Sequence, residues 1–240
     1  MPTVLLVRHG RSTANTSGVL AGWTPGVRLD ETGERQAADL GARMAPVALA
    51  RLVVSPLERC RQTAEALRAV DGPTGARPDP LVDERVGEAR YGDWTGRPLS
   101  ALAKEPAWRT VQAHPSAAVF PGEGGESMAA MAARVVAAVR EHDAQVAAEH
   151  GDDAVWAAVT HGDLVKAVLA DALGMHLDLF QRLSADPCSV SAVRYTPLRP
   201  FVLRVNDTGG DLSAFAPPAR KRRRRRPASS DAVVGGGTGA

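Results

Sequence analysis

The sequence predicts an α/β protein whose central sheet carries helices on both faces. Short apolar runs of strand length, at residues 3–7, 51–54 and 154–159, alternate with longer stretches of helical periodicity. Two of these runs end alike, at Arg8-His9-Gly10 and Thr160-His161-Gly162. With 44% hydrophobic and 23% charged residues among 240, the chain can bury a core. A wholly disordered, collagen-like or disulfide-framed chain is thereby excluded.

Residues 3–7 read as a buried strand that opens into a loop at Arg8-His9-Gly10. Asp30-Glu31-Thr32-Gly33 then introduces a helix with Ala37, Leu40, Gly41 and Met44 on one face. After the run at 51–54, Ser55 is expected as an N-cap, with Pro56 in the first helical position and Glu58 three residues on. That helix should run from residue 57 to about residue 70. Residues 71–80, rich in Gly and Pro, read as a connection, and the proline-punctuated segment 97–126 as irregular. Ser127 caps a long helix with Met128, Met131, Val135, Val139 and Val146 at helical spacing, and its histidines His142 and His150 are expected on the polar side. A strand at 154–159, a helix from 163 to about 173 and strand-like runs at 189–195 and 201–205 complete the body. In such sheets ligands sit beyond the carboxyl ends of the strands, which is where both His-Gly pairs fall.

The formal net charge of +2 conceals a split. Residues 219–240 hold seven basic groups, Arg220 to Arg226, against one acid, Asp231, so the tail is +6 and the body −4 out of totals of 29 and 27. We expect residues 1–212 to form one domain and 213–240, aperiodic and rich in Pro, Ala, Gly and Arg, to be a disordered basic tail. Its charge would give at most weak, salt-sensitive contact with nucleic acid or an anionic surface, and no functional partner is expected there. Two widely spaced cysteines, no signal-peptide pattern at the start and no apolar run of membrane length point to a cytoplasmic protein without a membrane partner.

A histidine held at a strand end beside a guanidinium is a candidate nucleophile toward a phosphoryl group; the alternative is a half-buried histidine bonded to backbone. Gly10 would let the chain turn sharply and an oxyanion approach. Ser12 and Asn15 offer short polar groups to phosphate oxygens, or serve as turn residues. Arg59 falls in the first turn of a helix, where free N–H groups favour an anion; Arg61 reads as a solvated neighbour. A metal site built from His9, His161 and nearby acids is the rival use of the same residues, but His-x-His and His-Glu-x-x-His spacings are absent, so no metal is expected.

Together, Arg8-His9-Gly10, Arg59 within Ser-x-Leu-x-Arg-x-x-Gln-Thr-Ala, Glu88 within Glu-x-x-x-Gly-x-Trp-x-Gly, and Thr160-His161-Gly162 resemble the histidine phosphatase, or phosphoglycerate mutase-like, superfamily over residues 2–205. The resemblance implies a three-layer α/β/α sandwich with a mostly parallel sheet, and phosphomonoester chemistry through a phosphohistidine without a cofactor. It implies His9 as nucleophile, Glu88 as proton donor, and Arg8, Asn15, Arg59, His161 and Gly162 as the phosphate pocket. Asp83 and Glu84 are rivals to Glu88 by residue type, but Glu88 alone stands four before Gly92. Segment 97–126 would then cover a small phosphorylated substrate. Gly22-Trp23 and Tyr91-Gly92 resemble the mutases, whereas Ala21, Leu99 and a lone Arg109 stand where mutases place a hydroxyl, a lysine and paired arginines. A phosphatase is therefore expected, with a phosphoglycerate mutase or other phosphomutase as the enzyme alternative. A catalytically idle binding or regulatory module is the third reading. Arg11 replaces an acidic or amide residue and is either a substrate contact or a solvated cation.

Overall fold

The structure is a computed structural model and describes residues 1–209; the expected tail at 213–240 lies outside the described residues. Alternation along the strands sets the layers. In β1 (Thr3–Arg8), Val4 and Leu6 point to one apolar cluster and Val7 to another. β2 (Leu49–Val54) separates Val53 from Leu52 and Val54, and β4 (Val155–Thr160) separates Trp156 and Ala158 from Ala157 and Val159. Both faces of these strands are therefore buried, as a parallel sheet requires. One cluster is closed by α6 (Met128–His150) and α7 (Gly162–Ala172), the other by α2 (Glu31–Met44) and α3 (Glu58–Arg68). The fold is the expected three-layer α/β/α sandwich.

The sheet has six strands in the order β3-β2-β4-β1-β5-β6, with β3 at Pro80–Val82, β5 at Val190–Tyr195 and β6 at Pro200–Asp207. β1 to β4 run parallel, and β5 runs against both its neighbours. The register pairs Arg8 with Thr160, Val54 with Val159 and Val54 with Val82, so four parallel strands end at one level. Beyond that level His9 donates its backbone N–H to Thr160 (2.9 Å), and Ser55 donates its own to Val159 (3.0 Å).

Helix starts follow the expected chemistry at α2, where Asp30 accepts from the Gly33 N–H (2.8 Å), and at α6, where Ser127 accepts from the Ala130 N–H (3.0 Å). Ala37, Leu40, Gly41 and Met44 form the buried face of α2. Among the described residues, no helix is long and apolar enough to cross a membrane.

Several expectations need correction. Ser55 does not cap α3, which begins at Glu58 with Leu57 as an N-cap lacking a side-chain bond. The Ser55 hydroxyl is occupied 2.8 Å from His161 Nε2. β3 escaped notice because it is three residues long and begins with proline, which suits an edge strand that needs no N–H. The segment 97–126 is not wholly irregular: it holds α4 (Leu99–Leu102) and α5 (Pro106–Ala113), the latter with proline at its start. The turn at Ser12–Asn15 opens α1 (Thr13–Ser17). His142 is not on the polar side of α6; it is buried, with Nε2 2.9 Å from Asp83 Oδ2 and Nδ1 facing Arg51 Nη1 at 3.2 Å. His150 is exposed, as expected.

Candidate active site

Four loops converge at the carboxyl ends of the parallel strands. β1 delivers Arg8 and His9, both buried. The Arg8 guanidinium donates to the Ala185 carbonyl at 2.8 Å. The His9 Nδ1 lies 2.7 Å from the Gly10 carbonyl, which only accepts, so that nitrogen carries the proton. Nε2 is left as a lone pair facing Arg59 Nε at 3.3 Å. Burial, reinforced by Arg59 and Arg8, pushes the His9 ring well below its ordinary pKa.

Packing gives Gly10 a further reason, beyond the expected sharp turn and oxyanion approach. A Cβ there would stand 2.6 Å from the Gly33 carbonyl, because the first turn of α2 packs directly on the His9 loop. The Gly10 N–H meets Thr63 Oγ1 at 3.1 Å, which ties the same loop to α3.

α3 presents Arg59, whose Nη2 bonds the Gly22 carbonyl (3.1 Å) and His161 Nδ1 (3.2 Å). Its Nη1 is buried with no hydrogen-bond partner among the described residues. His161 is the N-cap of α7. Because guanidinium can only donate, Nδ1 of His161 accepts, and the Nε2 proton goes to Ser55. Burial is the first cause, and Arg59 the next, that hold His161 well below its ordinary pKa. Gly162 opens α7 directly after His161, and the first N–H groups of a helix have no intrahelical acceptor.

Glu88 arrives from the chain after β3, and its Oε2 lies 3.6 Å from His161 Nδ1. Its Oε1 accepts from the Ala89 N–H at 3.0 Å. Burial chiefly, with Asp163 adding to it, raises its pKa to about 7 despite Arg59 and Arg8. The rivals are elsewhere: Asp83 is held at about 2 by Arg85 and His142, and Glu84 is exposed.

His9, Arg59, His161 and Glu88 are therefore brought together, with Arg8 adjacent in the chain. Asn15 is half-buried, and its Oδ1 accepts from the Ser12 N–H and hydroxyl (3.0 and 2.9 Å), which leaves its NH2 to donate. Arg11 is paired with Asp30 at 2.7 Å and is neither unpaired nor buried in the pocket. Arg61 is exposed. Trp94 packs on Trp108 with centroids 5.9 Å apart, whereas Lys104 and Arg109 lie exposed on the segment 97–126. Among the described residues, no group of three or more His, Cys, Asp or Glu side chains is placed to hold a metal ion.

Sequence reasoning missed Ser55 as the partner of His161. It also missed Trp23 and Arg134, which both donate to the Glu88 carbonyl (2.7 and 3.0 Å). A signal for Arg134 was present: it stands three residues after Met131, at the edge of the apolar stripe of α6.

The profile of the histidine phosphatase superfamily (branch 1) matches residues 4–208. The chain belongs to the histidine phosphatase superfamily. It is 30% identical over 221 residues to a protein of Erwinia tasmaniensis named probable phosphoglycerate mutase GpmB, which covers 89% of this chain and 94% of that one. The superfamily fold recurs in YhfR of Bacillus stearothermophilus, with a TM-score of 0.74, 26% identity and coverage of 86% and 98% of the two chains. It recurs also in phosphoserine phosphatase of Entamoeba histolytica in complex with 3-phosphoglyceric acid. There the TM-score is 0.74 with 20% identity over 87% and 98%, a likeness of fold alone.

Proposed function

We propose that this histidine phosphatase superfamily member hydrolyses small phosphomonoesters through a phosphohistidine on His9. The observation that carries the reading is the His9 Nε2 lone pair, fixed by the Nδ1 bond to Gly10 and facing Arg59 in a buried pocket shared with Glu88. Phosphoryl transfer asks mainly for in-line positioning and neutralised oxygens. Arg8 and Arg59 supply charge, while Asn15 and the Gly162 end of α7 supply donors. A bound dianion raises the pKa of His161, so that it too donates to the phosphate.

In the first step Nε2 of His9 forms the N–P bond as the ester P–O bond breaks, and Glu88 passes its proton to the leaving oxygen. In the second, Glu88 takes a proton from water, the water oxygen bonds to phosphorus, and the N–P bond breaks to release inorganic phosphate. The segment 97–126 covers the substrate in this reading, and the chemistry needs no metal or other cofactor.

A mutase is the second reading, favoured by the names of relatives such as GpmB. Against it, Leu99 packs on the apolar core where mutases place a lysine, and the exposed Arg109 stands where they place paired arginines. A panel of phosphomonoesters assayed in EDTA, with product analysis, separates the readings. Hydrolysis predicts stoichiometric inorganic phosphate undiminished by EDTA. Isomerised phosphoglycerate without phosphate release would favour the mutase, and loss of turnover in EDTA would revive the metal site.

A further inference from the structure

The main chain around Glu88 is held by side chains from α6 and from the loop after α1. Arg134, on α6, donates from Nη1 to the carbonyls of Arg85 (2.7 Å) and Gly87 (2.8 Å), and from Nη2 to that of Glu88 (3.0 Å). The same guanidinium is gripped by Glu126, at 2.6 Å from Nε and 2.9 Å from Nη2. Glu126 also accepts from the Arg90 N–H (3.1 Å) and gives its own N–H to the Arg90 carbonyl (2.8 Å). On the other side the Trp23 indole donates to the Glu88 carbonyl, and its ring lies where a Cβ on Gly87 would come within 2.6 Å of it.

We propose that Arg134, locked by Glu126, is a positioning residue that aims the Glu88 carboxyl by fixing the main chain from Arg85 to Glu88. The inference rests on Glu88 as proton donor. Glu88 follows a short 3₁₀ turn (Glu84–Val86) and an extended glycine, so no strand ladder fixes its height above the sheet. Three carbonyls converge on one place, and a planar fork of donors can serve all three while still holding a carboxylate. A lysine there would keep the charge but lose the fork. Glu126 closes the segment 97–126, so the cover over the pocket and the proton donor hang from the same guanidinium.

The test uses the full chain with two substrates: p-nitrophenyl phosphate, whose leaving group needs little help, and glycerol phosphate, whose alkoxide needs a proton. Arg134→Met and Arg134→Lys should each lower kcat on glycerol phosphate by about 10- to 100-fold, as expected for a group displaced by about 1 Å. On p-nitrophenyl phosphate the loss should stay under about threefold, with KM little changed on either. Trp23→Phe, which removes one donor to the Glu88 carbonyl, should shift the ratio the same way by less. It also carries the test if the Arg134 variants do not fold. In a Glu88→Gln background, Arg134→Met should add no further selective loss. Equal losses on both substrates, or full rescue by lysine, overturn the proposal while leaving Glu88 in place. Equal losses from Glu88→Gln alone overturn the proton-donor reading and this inference with it.

Discussion

Burial moves His9 and Glu88 toward neutrality from opposite sides. The histidine loses its proton more readily than usual, and the carboxyl keeps its own up to about pH 7. Nucleophilic attack needs the first state and proton donation the second. The pH profile of kcat/KM should therefore be bell-shaped, rising through a His9 limb below pH 6.5 and falling through a Glu88 limb near pH 7. Glu88→Gln should abolish the alkaline limb and cost far more on an alkyl than on an aryl phosphate. A profile flat from pH 6 to 9, or equal losses on both substrates, would contradict the assignment. At this scale the sequence was informative wherever a residue had a motif neighbour, as with Glu88 against Asp83. It was silent on what Ser55 and Trp23 hold in the site, since their partners lie 106 and 65 residues away. Their roles exist only once the strands are in register.

Elements carry the site by close packing of backbones. Gly33 opens α2 against the His9 loop, and a Cβ there would lie 1.9 Å from the Arg11 carbonyl. Gly33→Ala should destabilise the protein by roughly 1–3 kcal/mol or more and lower kcat by displacing the loop. Ser127→Ala removes only the cap of α6 and should cost about 1 kcal/mol with activity intact at saturating stability. Denaturant unfolding alongside kinetics distinguishes them, and a silent Gly33→Ala would refute the packing argument. The caps of α2 and α6 were legible because Asp30 and Ser127 each precede an apolar stripe of helical period. α4, α5 and β3 were not, since each is short, and prolines that read as breaks serve as starts.

The whole molecule concentrates buried charge at one edge of the sheet, and its stability should record this. His9 and His161 have lowered pKa values, so below pH 6.5 the unfolded chain takes up protons that the folded chain refuses. Glu88 acts in reverse between its ordinary value near 4.5 and about 7, holding a proton the unfolded chain has lost. Near pH 5.5 two groups oppose one, so stability should fall with falling pH. Glu88→Gln should steepen that slope, as urea unfolding at pH 5.5, 6.5 and 7.5 would show; an unchanged slope would place Glu88 outside the buried set. The α/β class was readable from strand–helix alternation alone. The antiparallel β5 was not, because direction depends on which edge the last strands join.

The central claim is a covalent N–P bond at His9. Rapid-quench trapping with a ³²P-labelled phosphomonoester tests it most directly, run beside His9→Ala, whose turnover should fall on the order of 10⁴-fold or more. The account predicts an acid-labile, base-stable label on the wild-type chain that is chased by unlabelled substrate and absent from His9→Ala. Turnover without label, or label that persists in His9→Ala, would contradict it.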